Sequence, residues 1–388
     1  MPAVRTGEQH RIVTILAGGP TPEYVSSITT ALGILAHRDS LKDHFSFIPC
    51  LISKTGVWLD ETTSERALAV YQKGDDDALQ RMEEVVCAGT SVPPWLVVSS
   101  STVVFPTIGG ALGEDGVIIG LCRALATPFV GCDILTSVIC LDKAVCKSVL
   151  QTAGLSQTPH IVVQPSDDLG LILESKHFSL PWVVKPADGG CSIGVSYVKS
   201  FGDFTVAIDK ARGHYPDSNI LVEPLVEHML EIDVAVMEEI SSTGDRRLVF
   251  SPPGLRQNFH LHLASSASSG VTASSAQGDK NAEGELSWLV PAPDLPEDVV
   301  KTMQALAKRA FRAVQATGFL RVDFFYVPTT GEILINEINT IPNTSIDSMW
   351  FKLWAAAGIE PKDWVIRVVE HALRRGDSQR LKLPLRNV

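Results

Sequence analysis

Two short apolar runs in the last quarter of the chain constrain the fold most. Phe319-Leu-Arg-Val-Asp-Phe-Phe-Tyr326 and Glu332-Ile-Leu-Ile-Asn-Glu-Ile-Asn339 are each apolar enough for a buried strand, and Pro328-Thr-Thr-Gly331 between them carries turn chemistry. They predict a hairpin. The two-residue period of a strand puts Arg321 and Asp323 on one face of the first run, and Glu337 and Asn339 on one face of the second. Buried carboxylates are costly unless paired or bound to a metal. Oxygen ligands of this kind suit Mg²⁺, which favours carboxylates together with nucleotide phosphates. Two readings stand side by side. Asp323, Glu337 and Asn339 hold Mg²⁺–ATP with Arg321 beside the transferring phosphate, or Arg321 forms a structural ion pair with a neighbouring acid.

Composition narrows the setting. The 388-residue chain is long enough for about two or three domains with a sizeable core. With 45% hydrophobic residues and a mean hydropathy of +0.15 it reads as a soluble globular protein, and no run approaches a membrane span. The polar start, Met1 to His10, lacks the apolar core of a signal peptide, so a cytoplasmic location is expected. Seven scattered cysteines without CxxC spacing suggest free thiols in a reducing compartment. A net charge of -11 argues against general nucleic-acid or acidic-membrane partners, while leaving room for a local cationic pocket.

Taken in order, His10-Arg-Ile-Val-Thr-Ile-Leu16 reads as a buried strand, followed by Gly18-Gly19 and a helix beginning near Glu23. Strand, glycine turn and helix open an α/β domain. Glu23 and Ser27 lie one helical turn apart and can face a small ligand together; Glu23 reads equally as a first-turn acid favoured by the helix dipole. Phe45 to Ile52 is strand-like, and an apolar strand lies within Leu96 to Ile108. The glycines of Gly109-Gly-Ala-Leu-Gly-Glu-Asp-Gly116 imply tight turns or close backbone approach. Helices are expected from Val117 and over Ser137 to Ala153.

Pro181-Trp-Val-Val-Lys-Pro186 then forms a strand, and Ala187-Asp-Gly-Gly-Cys-Ser-Ile-Gly194 a glycine-rich turn into a second strand, Val195 to Val198. With Lys185 at its edge and Ser192 within it, this turn suits a flap over phosphate oxygens, or is simply a decorated hairpin turn. It is not a Walker loop, which needs a GK[ST] run leading into a helix. Ile220 to Val226 and Glu231 to Met237 are further strands, each with an acid, Glu223 and Glu231, placed to accept hydrogen bonds from a nucleotide base or ribose. Ala264 to Gly278 is dominated by Ser and Ala and reads as a mobile loop, with Lys280 just beyond it. A helix over Glu297 to Thr317 ends at Gly318, and two helices follow the loop Thr340 to Ser348.

Together these motifs resemble the ATP-grasp superfamily and, within it, the D-alanine–D-alanine ligase family. GGPTPE, LGEDG, LDK, KPADGGCSIG, the two acid-bearing strands, KNAEG before LVPA, LRVDFF, and NEINT before DSMWFKLW occur in the family's order from Gly18 to about Trp354. The resemblance implies a mixed α/β, three-domain architecture with ATP between the central and C-terminal domains. The domains are expected at residues 1–135, 136–227 and 228–388, with a lid loop at about 255–285. It implies ATP held by Lys143, Lys185, Ser192, Glu223 and Glu231, and two Mg²⁺ ions held by Asp323, Glu337 and Asn339. Lys280 would swing onto the γ-phosphate. Arg321, with a backbone N–H near Asn343, would hold the tetrahedral intermediate, Glu23 the first substrate's ammonium, and Ser348 the second substrate's carboxylate. A carboxylate would be activated as an acyl-phosphate and captured by an amine, giving a dipeptide or related amide. Small amino acids are the expected partners, and a homodimer is a family expectation.

The departures from the family cluster in the substrate pocket. Gly109 stands where the family carries a histidine, Cys191 where it has a flap serine, and Asn281 where it has a lid tyrosine. Asn343 replaces a glycine and Asp347 a histidine. Histidine to glycine is expected to open space and to remove a polar partner, and a site built on particular hydrogen bonds rejects molecules that cannot make them. Substrates other than two D-alanines are therefore expected. A genuine D-alanine–D-alanine ligase, a hydroxy-acid-using ligase and an inactive nucleotide-binding homologue are the alternatives.

Overall fold

The computed structural model describes residues 11–74, 77–175, 179–257 and 287–380. By contacts the chain forms two compact units. One contains the chain up to Gly131, Glu238–Arg247 and the chain from Asn343 on; the other contains Cys132–Met237 and Leu248–Pro342.

The first unit is built on a parallel sheet of order β2-β1-β3, with β1 Arg11–Gly18, β2 Phe45–Ile52 and β3 Val103–Pro106. The central strand β1 is buried from Val13 to Gly18, as a parallel strand covered on both faces must be. Gly18 turns out of it at φ +87°, where an added Cβ would sit 2.3 Å from the Ile52 carbonyl oxygen. Only glycine fits there. The helix Tyr24–Leu35 follows, as expected. The apolar stretch from Leu96 is not all strand: Pro94–Ser100 is a helix, and the strand starts at Val103. Pro94 at the first helical turn is preorganised for helix and decides against the local β-branched run. Near the C-terminus the helices Met349–Ala356 and Pro361–Arg380 bury Trp350, Trp354 and Trp364. Trp350 meets the other two edge-to-face, with ring centroids 5.7 and 5.6 Å away.

The second unit holds one antiparallel sheet and most of another. In the smaller, of order β4-β7-β5-β6, β4 is Ile161–Val163, β5 Trp182–Pro186, β6 Ser196–Val198 and β7 Ile220–Pro224. The helix Phe204–His214 packs on it through Phe204, Ala207 and Ile208. The larger contains β8 Leu230–Ile240, β9 Arg246–Phe250, β10 Gly254–Gln257, β11 Ser287–Leu289, β12 Phe319–Val327 and β13 Glu332–Asn339. Its order is β11-β10-β8-β12-β13, with β9 paired to β8. Helices Lys143–Thr152 and Glu297–Ala313 cover one of its faces, with Leu150, Met303, Ala307 and Phe311 against Val234, Val236, Val322 and Phe324.

The hairpin β12–β13 forms as expected, in the register Arg321 to Asn339 and Asp323 to Glu337. Just beyond Asp323 the register shifts, leaving Asn336 as an extra residue on β13. The helix expected over Ser137 to Ala153 is instead two, Ile134–Leu141 and Lys143–Thr152. Asp142 breaks it by adopting an extended backbone and capping the second helix, its carboxylate accepting from the N–H groups of Ala144 and Val145 at 2.8 and 3.1 Å. The helix expected to reach Thr317 ends at Ala313. The three sheets fall in turn within residues 1–135, 136–227 and 228–388. All seven cysteines are free thiols. No helix among the described residues is long and apolar enough to cross a membrane. Most of the expected lid loop, with Lys280 and Asn281, lies outside the described residues.

Candidate nucleotide and metal site

The acids sit where strand pairing puts them. On β12, Asp323 lies opposite Glu337 on one side and opposite Asp233 of β8 on the other. Like charges facing each other across strands repel, so Asp233 and Asp323 need counter-charges. Two arginines supply them. Arg321 donates to Asp323 through Nε at 2.6 Å and Nη2 at 2.8 Å. Arg256 of β10 donates through Nε to Asp233 at 2.9 Å and through Nη2 to Asp323 at 2.8 Å. Asn339 Nδ2 adds a fourth bond to Asp323, at 3.0 Å. The ion-pair reading of the hairpin is thus realised in the geometry, with a second arginine that the sequence reading did not single out.

These surroundings split the acids electrostatically. Burial would raise the Asp323 carboxyl, but Arg321 and Arg256 outweigh it and hold the group below the ordinary carboxylate range. Burial, reinforced by Asp323, lifts Asp233 to about 6 against the pull of Arg256. Burial lifts Glu231 to about 7, with Asp233, Asp323 and Glu337 adding to it. Asp233 Oδ1 is buried and has no hydrogen-bond partner among the described residues. An acid-rich cluster with an orphaned carboxylate oxygen fits a hard divalent cation, and Asp323, Glu337 and Asn339 present oxygen donors on adjacent strands. Among the described residues no three His, Cys, Asp or Glu side chains are already gathered as a metal cage. Asp323 would have to give up an arginine contact to serve as a ligand.

Of the lysines, Lys185 comes from the smaller sheet, and Lys143 and Lys147 from the helix Lys143–Thr152 that covers the larger one. Glu223 on β7 is buried between two ammonium groups, Lys147 and Lys185, each 2.9 Å away. Burial alone would raise the Glu223 carboxyl; the two lysines reverse that and leave it below its ordinary range. Burial also pushes the Lys147 ammonium down, with Glu223 opposing it. Lys185 Nζ reaches the bulge residue Asn336, 3.4 Å from its Oδ1. Lys143 opens its helix, donates through Nζ to the Gly189 carbonyl at 2.5 Å and lies 3.7 Å from Glu337. In the glycine-rich turn, Cys191, Ser192 and Gly194 all have positive φ, at 49°, 58° and 79°. Lys185 therefore meets the hairpin at Asn336, and Lys143 meets it at Glu337 and the glycine-rich turn at Gly189. Expected at the base and ribose, Glu223 lies between lysines, and Glu231 lies in the field of Arg256 and the acids.

The substrate-pocket candidates of the first unit are less uniform. An added Cβ on Gly109 would sit 2.6 Å from Glu23 Oε2, and one on Gly110 3.2 Å from Oε1. The space expected to open at Gly109 is filled by the Glu23 carboxylate itself. Ser27 is buried and accepts from the Gly18 N–H at 2.8 Å, so its hydroxyl builds the glycine turn and does not face a ligand. Ser348 caps the helix Met349–Ala356 through the Phe351 N–H, and Asn343 Oδ1 accepts from the Ser345 N–H at 2.7 Å. Asp347 and, in the second unit, Cys191 are exposed.

Sequence reasoning missed Lys147, Asp233, Arg256 and Asn336. Asp233 was within reach, since the strand period places it on the same face as Glu231. Lys147 lies one turn after Lys143 on the same helix face. Arg256 and Asn336 had no such signal, because one depends on which strands become neighbours and the other on a bulge.

An antiparallel sheet carrying Lys185 and a glycine turn, with Lys143 and Lys147 on a neighbouring helix, together with a second antiparallel sheet presenting Arg, Asp, Glu and Asn on one hairpin, defines the ATP-grasp architecture. The comparisons agree. Residues 12–132 match the D-ala D-ala ligase N-terminus family and residues 149–250 and 276–370 the D-ala D-ala ligase C-terminus family. The D-alanine--D-alanine ligase of Deinococcus radiodurans is 33% identical over 379 residues, covering 94% of this chain and 98% of the relative. That of Mycobacterium ulcerans is 33% identical over 389 residues, covering 96% and 98%. Among solved structures, the D-alanine-D-alanine ligase of Coxiella burnetii superposes with a TM-score of 0.75 at 26% identity, covering 96% of each chain. The VanG D-Ala:D-Ser ligase of Enterococcus faecalis shares the fold, at a TM-score of 0.72 and 23% identity, covering 94% and 100%. This chain belongs to the D-alanine–D-alanine ligase family of three-domain ATP-grasp proteins, and is an ATP-dependent carbon–nitrogen ligase.

Proposed function

We propose that the enzyme joins two small amino-acid substrates through an acyl-phosphate and that the first of them is not D-alanine. The observation that carries this reading is the Glu23 carboxylate lying against Gly109, with only 2.6 Å left for a Cβ. A pocket that keeps the ammonium-binding acid but gives its neighbour's side-chain volume to that acid holds its first substrate in a different place. Discrimination in such sites follows the hydrogen bonds that the walls require.

The chain's own residues divide the work as follows. Lys143, Lys185 and Ser192 bind and orient the triphosphate, with Glu223 and Glu231 toward the nucleoside and Lys280 closing onto the γ-phosphate. Asp323, Glu337 and Asn339 would hold Mg²⁺, which when bound neutralises the phosphate charge. Positioning and charge neutralisation are nearly all that phosphoryl transfer asks of a protein. Glu23 holds the first substrate's ammonium and Ser348 the second substrate's carboxylate. Arg321 and a backbone N–H near Asn343 hold the oxyanion formed when the amine attacks. Exclusion of water protects the activated acyl group from hydrolysis.

A second reading, D-alanine at both positions, is favoured by the names of the relatives at 33% identity. ADP release with Mg²⁺–ATP, tested against single and paired D- and L-amino acids with products identified by mass, separates the two. The expected result is a best pair that does not begin with D-alanine. Gly109→His should then push the Glu23 carboxylate out of the space it fills and improve use of D-alanine by about tenfold or more, since a regained polar wall shifts selectivity on this scale. D-alanine as the best first substrate of the unaltered enzyme would refute the proposal, and D-alanine at both positions would establish the second reading.

A further inference from the structure

We propose that Arg256 is a positioning residue that stands in for a divalent cation, holding the hairpin aspartate ready and yielding that contact when the ion arrives. The inference rests on the reading of Asp323 as a metal ligand. It goes beyond that reading by assigning a role to a residue outside the ligand set.

Three observations carry it. First, Asp233 and Asp323 are directly opposite each other on β8 and β12 and are almost wholly buried, with side-chain exposures of 1% and 5%. Two facing buried carboxylates cannot both stay ionised without counter-charge between them. Secondly, Arg256 supplies that counter-charge together with Arg321. It reaches over β8 from β10 and spans both acids with one guanidinium, Nε to Asp233 and Nη2 to Asp323, as a fork of fixed geometry can. Thirdly, its contact on Asp323 is redundant where that on Asp233 is not. Asp323 Oδ2 also accepts from Arg321 Nη2 and Asn339 Nδ2, whereas Asp233 receives one hydrogen bond among the described residues, from Arg256, with Arg321 Nε a longer ion-pair partner at 3.4 Å. Releasing Asp323 while keeping Asp233 is therefore the inexpensive movement open to Arg256. It frees one lone pair on the carboxylate that the hairpin presents.

The consequence is competition. A cation on Asp323 must displace the Arg256 contact, so Arg256 sets the concentration at which the ion binds. In the ion-free protein Arg256, together with Arg321, relieves the repulsion between the strands.

The test is a titration of Mg²⁺ alone into nucleotide-free protein, following the melting midpoint of the wild type, Arg256→Met and Asp323→Asn. Arg256→Met should melt lower than the wild type in chelator and respond at about tenfold lower Mg²⁺, the scale of one lost charge-assisted hydrogen bond. Asp323→Asn should show no response. If the wild type and Arg256→Met respond at the same Mg²⁺ concentration while Asp323→Asn remains silent, the role of Arg256 is overturned and the metal reading survives. A full response in Asp323→Asn overturns the metal reading and this proposal with it. Should Arg256→Met fail to fold, Asp233→Asn serves instead. Without the second acid the guanidinium is left to Asp323, and the Mg²⁺ response should move to higher concentration; a response unchanged or moved lower overturns the proposal.

Discussion

Glu223 shows how much one side chain controls here. It is buried, and its one negative charge is shared between two lysines, Lys147 and the candidate triphosphate ligand Lys185. Glu223→Gln removes one charge and leaves two ammonium groups facing an amide. Breaking a buried pair in this way costs about 3–5 kcal/mol. The sign of the accompanying pH effect is fixed: a carboxyl held below its ordinary 4.5 contributes stability above that pH, which is lost as pH falls through the lower folded value. Urea unfolding should therefore find Glu223→Gln less stable at neutral pH, with the difference shrinking under acid. A constant difference down to the acid limit would show that its charge is not what matters. At this scale the sequence was informative where charge and strand period coincide, as at Arg321, Asp323, Glu337 and Asn339. It could not say that Glu223 would meet Lys147, because that contact depends on a helix packing against a sheet far away along the chain.

Elements were legible when their signals were local, and failed where one residue overruled its neighbours. The hairpin and the turn at Gly18 follow from alternation and glycine. The helix break at Asp142 comes from a single cap within an otherwise helical run, and it places Lys143 at the start of a helix, where its amide N–H reaches the Ala187 carbonyl at 2.8 Å. Gly33 is a further case. It lies inside the helix Tyr24–Leu35, where glycine is a poor choice for helix formation. The reason is the loop that begins at Asn343: a Cβ on Gly33 would come within 1.7 Å of the Thr344 carbonyl oxygen. Thr344 also donates from Oγ1 to the Thr30 carbonyl at 2.9 Å, fastening the loop to the same helix. Gly33→Ala should thus destabilise the protein by about 1–3 kcal/mol, as overpacking does, despite the higher helix propensity of alanine. Because the loop carries Asn343, Asp347 and Ser348, the KM of the second substrate should rise more than that of ATP. A stabilised Gly33→Ala protein with unaltered KM values would show that the loop approach is not needed.

At the scale of the whole molecule, hydrophobic patterns located all three sheets, yet contacts assign Glu238–Arg247 and the chain from Asn343 to the same unit as the N-terminal sheet. No local pattern announces that, since β8 is one continuous strand that begins in one unit and ends in the other. What secures the returning segment is polar. His371 on the C-terminal helix meets Glu238 at 2.9 Å, and Arg246 meets the same carboxylate oxygen at 3.0 Å. Burial pushes the His371 imidazole down despite its hydrogen bond to Glu238, and nearby Arg375 adds to the effect. The folded protein thus keeps His371 neutral at a pH where the unfolded chain, with its ordinary value of 6.5, already takes up a proton. Stability from this source is complete above 6.5 and declines as pH falls toward the lower folded value. The decline is bounded by about 1.4 kcal/mol for each pH unit separating the two values. Glu238, which burial would raise but which His371 and Arg246 hold down, adds a loss of the same sign at lower pH. Unfolding midpoints measured between pH 7.5 and 5.5 should therefore fall more steeply in the wild type than in His371→Gln, which has no imidazole to protonate. Parallel curves would mean that this contact does not couple the C-terminal helix to proton uptake.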